Sequence, residues 1–298
     1  MRITRWRELK DRLLAAGFRP RSSLGQNFLM TPPILRSMVQ KAGILPGDKV
    51  LEIGVGAGSL TSFLLDAGAE VLGVEIDERL ARIAEDNCDF ARSRLNLLKM
   101  DALDKGKILS PELGEAIRSF AGARRYKLVA NLPYSISTPI FCELMKTPMR
   151  PVAAVVLVQE DFAQRVCAPS GTHEFSPISV FSSVFGEAKI VRRVQPGEFW
   201  PVPGVTSAVL AWRENEAPPR FIDEDFFFDL VNTMFRYRRK NIANALKNAR
   251  KAGWQADVDV EALLVSAGIN PRFRAEQLDP SQFISLYALA LKASANTV

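Results

Sequence analysis

Apolar residues recur in this chain with two spacings. Compact apolar runs at Lys49–Ile53, Glu70–Val74, Leu95–Met100, Leu128–Ala130 and Ala153–Val158 predict strands, the last an unbroken run suited to burial on both faces. Helical spacing fills the intervals: Trp6, Leu9 and Leu13 within 5–16, a helix opened by Thr31-Pro32 and reaching Ala42, one capped by Ser59 and running to Asp66, one over 78–91, and one starting near Ser137. Strand and helix in alternation predict a doubly wound α/β sheet. Ala188–Val194 and Ser207–Arg213 predict two further strands joined by the long Pro196–Gly204 connection, a fitting antiparallel edge. Glu214–Pro219 is polar and proline-rich, and beyond it only helical spacing remains, over about 223–235, 239–252, 258–267 and 279–292. The expected organisation is a sheet domain over 1–213 with a basic segment 1–23, a linker at 214–220 and a small all-helical domain over 221–298.

Composition narrows the class without naming a chemistry. The chain has 298 residues, 47% hydrophobic and 24% charged, as in an ordinary globular protein large enough for two cores. No apolar run approaches the roughly 18 residues of a membrane span, and the basic start Met1–Arg7 lacks the apolar stretch of a secretory leader. Cys88, Cys142 and Cys167 fit no metal spacing and suggest reduced thiols in the cytoplasm. The single histidine, His173, lies in a loop-like stretch and is given no role. Net charge is +6, and its placement is informative. Residues 236–251 hold Arg236, Arg238, Arg239, Lys240, Lys247, Arg250 and Lys251 with no acid, and Arg2, Arg5, Arg7, Lys10, Arg12, Arg19 and Arg21 crowd the start against Glu8 and Asp11. One such run is a solvated face; two, with Trp6, Phe18 and Tyr237 interleaved, favour nucleic acid.

Candidate chemistry gathers at the predicted strand ends, where ligands bind in open α/β sheets. After Ile53 the chain reads Gly54-Val-Gly56-Ala-Gly58, a turn in which Gly54 and Gly56 let backbone approach a ligand. Its spacing is not that of a pyrophosphate loop, and the preceding Glu52 would repel a pyrophosphate but suits a cationic sulfonium ligand. Glu75, about twenty residues past Gly54, stands where an acid takes ribose hydroxyls. Asp101 is placed to accept from an adenine amino group, or simply to cap a helix. At Asn131-Leu132-Pro133-Tyr134 an amide acceptor, a rigid corner and an aromatic face suit a planar group bearing an amino nitrogen; the same residues also make an ordinary strand-to-helix turn. Phe199, in a proline-flanked stretch where burial is hard to arrange, is the candidate second ring around a base stacked on Tyr134.

In combination these motifs resemble the S-adenosylmethionine-dependent ribosomal RNA adenine dimethyltransferases. The resemblance covers nearly the whole chain: Leu24-Gly-Gln-Asn-Phe-Leu29, Glu52-Ile-Gly-Val-Gly-Ala-Gly58, Val74-Glu-Ile-Asp77, Asp101-Ala102, Asn131-Leu-Pro-Tyr-Ser-Ile-Ser137, Phe199-Trp-Pro-Val-Pro203, Phe235-Arg-Tyr-Arg-Arg-Lys240 and Arg274-Ala-Glu276. It implies a Rossmann-like class I methyltransferase sheet, S-adenosyl-L-methionine as cosubstrate and no metal. It implies a pocket lined by Asn27, Leu29, Gly54, Gly56, Glu75, Ile76, Asp101, Ala102 and Asn131. Asn131 and the Leu132 and Pro133 carbonyls would hold the target amine, Tyr134 and Phe199 would grip the base, and a helix bearing Arg238, Arg239 and Lys240 would lie along RNA phosphates. The implied reaction is dimethylation of two adjacent adenosines in the 3′-terminal hairpin of small-subunit (16S) rRNA, by a cytoplasmic monomer with a role in small-subunit biogenesis.

The chain departs from the family pattern at Gly204 and Thr206, where lysine and aspartate are usual, at Glu160, where lysine is usual, at Phe175-Ser176-Pro177, and at Ser22-Ser23. These changes remove positive charge on the substrate side. Three other readings stay open: a large-subunit rRNA dimethyltransferase conferring antibiotic resistance, an assembly factor for immature small subunits in which methylation is secondary, and, least favoured, adenine methylation of DNA.

Overall fold

The structure is a computed structural model that describes residues 6–15, 17–21, 24–106, 108–122, 125–146, 150–251 and 259–295. Arg2, Arg5, Ser22 and Ser23 lie outside the described residues, as do the side chains of Trp6, Arg7, Arg12, Arg250 and Lys251.

Helix α1 (Trp6–Ala15) is followed by β1 (Phe28–Leu29), α2 (Pro32–Lys41), β2 (Lys49–Ile53), α3 (Ser59–Asp66), β3 (Glu70–Glu75), α4 (Glu78–Asn87) and β4 (Leu95–Lys99). Next come the small hairpin β5 (Leu103–Asp104) and β6 (Ile108–Leu109), α5 (Pro111–Ala121), β7 (Tyr126–Asn131), α6 (Ser137–Lys146) and β8 (Ala153–Gln159). Then follow α7 (Glu160–Val166), α8 (Pro177–Phe185), β9 (Gly186–Val194), β10 (Phe199–Trp200) and β11 (Ser207–Glu214). The chain closes with α9 (Glu224–Arg236), α10 (Ile242–Lys251), α11 (Val260–Ser266) and α12 (Pro280–Ala295).

Seven strands form one sheet in the order β4-β3-β2-β7-β8-β11-β9. The β4-β3-β2-β7-β8 part is parallel, and β11 joins β8 antiparallel, Ser207 opposite Gln159 and Arg213 opposite Ala153. Apolar content explains the order. Val50, Leu51, Leu128, Val129, Val156 and Leu157 on the central strands are fully buried, and α2 and α3 close a core with Ile34, Leu35, Met38, Leu60 and Leu64. Strand ends carry short polar signals that start helices. Asp77 accepts from Arg79 N to cap α4, and Ser110 precedes Pro111 at the first turn of α5. Ser59 does not cap α3 as expected. Gly58 holds that position at φ +82°, where a side chain would be strained and its Cβ would come within 3.1 Å of Ala84.

The chain groups into two compact units whose boundary differs from the expected one. One unit comprises 1–163 and 188–214; residues 164–187, assigned from sequence to the sheet domain, group with 215–298 in the other. Aromatic packing explains this. Phe181 and Phe185 of α8 meet Phe227 and Phe228 of α9, with ring centroids 4.3–6.3 Å apart, and Phe221 and Tyr287 extend the same cluster. Phe175 adds a second contact, 6.0 Å from Phe235 and 6.5 Å from Phe283. Among the described residues no helix is long and apolar enough to cross a membrane.

Candidate active site

A cavity of about 210 Å³ opens at the carboxyl ends of β2, β3 and β7. Its floor is the glycine turn after β2. Gly54 has φ +80°, and a Cβ there would lie 3.0 Å from Pro133 Cδ, so a side chain at 54 would push into the proline corner. At Gly56, φ +57°, an added Cβ would lie 3.3 Å from the Phe28 ring. The turn is held by Glu75, whose Oε2 accepts from Gly56 N at 2.7 Å and whose Oε1 accepts from Asp77 N at 2.9 Å. Burial raises the Glu75 carboxyl above its ordinary range, against those two backbone donors. Asp101 accepts from Leu103 N at 3.0 Å, leaving its second oxygen without a partner among the described residues.

Glu52 also lines the cavity yet is 1% exposed. Its Oε2 accepts from the Thr61 hydroxyl at 2.7 Å. Burial, with a smaller contribution from the Glu75 charge, overrides that donor and pushes its pKa from the ordinary 4.5 up to about 8. At neutral pH its carboxyl is held mainly in the protonated form.

The opposite wall is the Asn131–Tyr134 corner. Asn131 ends β7, and its Nδ2 donates to the Asn27 carbonyl at 2.9 Å. That bond fixes the amide's sense: Oδ1 is the free end, with no donor among the described residues. Of the two carbonyls expected to face a ligand, Pro133's is engaged, accepting from Ser137 Oγ at 3.0 Å and Ile136 N at 3.1 Å. Leu132's carbonyl accepts from no described group. The Tyr134 hydroxyl bonds to Ser207 Oγ, which pins the ring, and burial raises its pKa.

Asn27, Leu29, Ile76, Asp101, Ala102, Asn131, Pro133 and Tyr134 all line this cavity, as do Gly54, Gly56 and Glu75. Phe199 does not. It is 0% exposed and packs among Leu29, Val194 and Val209, because β10 pairs antiparallel with β1 and sets Phe199 opposite Leu29. Alternation then turns Trp200 toward Phe28, the rings stacked at 5.8 Å. The proline-flanked stretch thus buries an aromatic that the sequence suggested would be free. Arg238, Arg239 and Lys240 also differ from expectation, lying in the turn between α9 and α10 rather than on a helix. Arg238 is turned inward there, 3.7 Å from Glu276 and bonded to the His173 carbonyl; Arg239 and Lys240 are exposed.

The Leu24–Leu29 strap contributes more than its own motif signals. Gln26 Nε2 reaches Asp77 at 3.4 Å, Phe28 covers Gly56, and Asn27 holds Asn131. Nothing local in the sequence marks the Asn27–Asn131 or Tyr134–Ser207 bonds, whose partners are 104 and 73 residues apart.

Residues 17–292 match the ribosomal RNA adenine dimethylase family. A ribosomal RNA small subunit methyltransferase A from Geobacillus thermodenitrificans is 35% identical over 280 residues, covering 93% of each chain, and one from Moorella thermoacetica is 37% identical over 276 residues, covering 91% of this chain and 92% of the relative. Among solved structures, a dimethyladenosine transferase from Plasmodium falciparum superposes with a TM-score of 0.70 at 24% identity, over 87% of this chain and 95% of that one. The 23S rRNA methyltransferase ErmE does so at 0.62 and 24%, over 88% and 98%, a likeness of fold. With a family match over residues 17–292 and relatives above 30% identity across nine-tenths of both chains, this protein belongs to the ribosomal RNA adenine dimethylase family.

Proposed function

We propose that this chain transfers methyl groups from S-adenosyl-L-methionine to the N6 amines of two adjacent adenosines in the 3′-terminal hairpin of small-subunit rRNA. The observation that carries the reading is the Asn131 amide, locked by Asn27 with its oxygen free, at a cavity whose other end is lined by acids. Small-subunit rather than large-subunit RNA is favoured by the relatives near 35% identity, which carry the small-subunit name.

The donor set suits the cosubstrate. Glu75, its oxygens already oriented by Gly56 N and Asp77 N, would accept from ribose hydroxyls through its remaining lone pairs. Asp101 would use its free oxygen for the adenine amine, and Ile76, 46% exposed, would offer an apolar face to the ring. The Gly54–Gly58 turn lets the ligand lie against backbone, and Glu52 would ionise on meeting an ammonium group. When bound, the cosubstrate supplies an electrophilic methyl on a sulfonium.

The target nitrogen is a weak nucleophile because its lone pair is delocalised into the ring. In the first transfer Asn131 Oδ1 and the Leu132 carbonyl would each accept one N–H, and in the second one of them would accept the single N–H that remains, favouring a pyramidal amine whose lone pair faces the methyl group. Each transfer releases the neutral thioether and a proton from nitrogen. Tyr134, held through Ser207, gives one face on which the base stacks. The base must leave its own stack to arrive, which suits a hairpin loop. Phe199 plays no part in this grip. Arg239 and Lys240 bind phosphate from the helical unit, and the enzyme acts as a cytoplasmic monomer on immature small subunits.

The test is methyl incorporation from labelled S-adenosylmethionine into unmethylated small subunits, large subunits and DNA, followed by nucleoside analysis. Dimethyladenosine confined to the small-subunit terminal hairpin is expected. Incorporation into the large subunit, or tight small-subunit binding without incorporation, would overturn the reading.

A further inference from the structure

On the substrate side of the sheet, next to the residue that pins Tyr134, stands an ion pair that fold and site leave unexplained. Glu160 follows the last residue of β8; its backbone N donates to the Thr206 carbonyl at 3.0 Å, and the neighbouring Ser207 holds the Tyr134 hydroxyl. The Glu160 carboxylate accepts from Arg193 Nε of β9 at 2.6 Å. The pair is lopsided in exposure, the Glu160 side chain 20% and the Arg193 side chain 68% accessible. A carboxylate that takes Nε fixes the plane of a guanidinium and leaves the terminal Nη atoms to solvent. Exposed pairs of this kind contribute little to stability, so the fold gains little from this one.

The surroundings give the exposed end a use. The connection from Trp200 to Ser207 is tied at both ends to cavity-lining residues, Trp200 by stacking on Phe28 and Ser207 by its bond to Tyr134. It therefore borders the cavity. Its six residues, Pro201 to Thr206, carry no charge, and Val202 and Val205 are 67% and 45% exposed. A polyanion reaching Tyr134 meets an uncharged stretch with a cation at each end: Lys10, whose Nζ lies 5.4 Å over the Trp200 ring, and the guanidinium of Arg193, held by Glu160 beside Thr206 and Ser207. The positive charge that Glu160 and Gly204 withhold, relative to the family pattern, is thus returned from another strand.

We propose that Arg193 contacts a backbone phosphate of the RNA segment flanking the adenosine in the cavity, and that Glu160 is its positioning residue. The inference rests on the proposed rRNA substrate. Arg193 contributes one charge-assisted, bidentate phosphate contact, a geometry that lysine would not reproduce.

The experiment measures the Michaelis constant for unmethylated small subunits, and its salt dependence, in the wild type and in R193A, R193K, E160Q and the exchanged pair E160R/R193E. R193A is expected to raise the Michaelis constant several-fold, to reduce the salt slope by about 0.7, and to leave kcat and the dissociation constant for S-adenosylmethionine unchanged. R193K should restore the slope but not the Michaelis constant. E160Q should keep the slope and raise the Michaelis constant. The exchanged pair rebuilds the brace and puts the cation at position 160, where the family pattern has lysine, so it should keep wild-type melting and more of the salt slope than R193A. An R193A enzyme with unchanged Michaelis constant and slope, or an exchanged pair with no more slope than R193A, would reduce the pair to a brace. Failure of the wild type to methylate small subunits would instead sink the substrate reading.

Discussion

Replacing Glu52 by glutamine should make the protein more stable at alkaline pH and change it far less at mildly acidic pH. Glu52 ionises near 4.5 when unfolded and near 8 when folded, burial being the main cause. Below about 4.5 both states hold the proton and the acid costs nothing. As pH rises the unfolded state ionises first, so stability is lost progressively and the loss is complete above about 8. Integrating between those values gives a cost of roughly 1.4 kcal/mol at pH 5.5 and roughly 4.6 kcal/mol at pH 8.5, a difference of about 3 kcal/mol. Glutamine resembles the neutral acid in shape and can still accept from Thr61, so E52Q escapes the penalty. Titrating groups not coupled to Glu52 are common to both proteins and cancel; Glu75, whose charge adds a smaller part of the Glu52 shift, is the main coupled group. The assay is thermal unfolding of both at pH 5.5 and pH 8.5 without cosubstrate, where about 3 kcal/mol corresponds, for a chain of this length, to a gap wider by roughly 5 °C at the higher pH. A gap of the same size at both values would refute the reasoning, because Glu52 would then ionise normally inside the fold.

Asn131→Ala should lower kcat by at least about a hundredfold while melting near the wild-type temperature, since it removes the one amide that positions the amine; near-normal turnover would exclude that role. Phe199→Ala should cost about 3–5 kcal/mol in unfolding free energy, as expected for a buried aromatic, with its effect on activity following from stability. A variant of wild-type stability with a selectively raised Michaelis constant for RNA would return Phe199 to the base. In the turn after α9, R239A/K240A should reduce the magnitude of the salt slope of RNA binding by about 1.4 to 1.8, whereas R238A should leave the slope nearly unchanged because Arg238 faces Glu276. Equal slope changes from both variants would place Arg238 on the RNA instead.

Local signals in the sequence predict local structure well here, and long-range pairings poorly. The runs at Lys49–Ile53 and Ala153–Val158 lie within strands with nearly the same bounds, because a parallel central strand needs unbroken apolar residues. The glycine turn, Glu75, Asp101 and the Asn131 corner converge on one cavity because each ends or follows a strand in the parallel part of the same sheet. Phe199 was misjudged since its burial depends on a two-residue ladder with β1, formed from Phe28 and Leu29, about 170 residues away. The same limit hid the Asn27 carbonyl that orients Asn131 and the Ser207 hydroxyl that pins Tyr134. Residues 164–187 read as part of the sheet domain by position alone; only the rings of Phe175, Phe181 and Phe185, paired with partners beyond 220, reveal their allegiance.

That excursion limits how the protein can be dissected. A cut after Glu214 looks natural, since the polar, proline-rich stretch begins there, but it would leave 164–187 without the aromatic partners that cover it. Ile178, Phe181, Val184 and Phe185, all buried in the intact chain, would face water on a helix nine residues long. The fragment would carry an adhesive patch and aggregate for reasons unrelated to its catalytic half. A usable sheet fragment requires a second excision, joining the chain near Ala163 to Ala188, and a usable helical fragment must be assembled from two pieces of sequence.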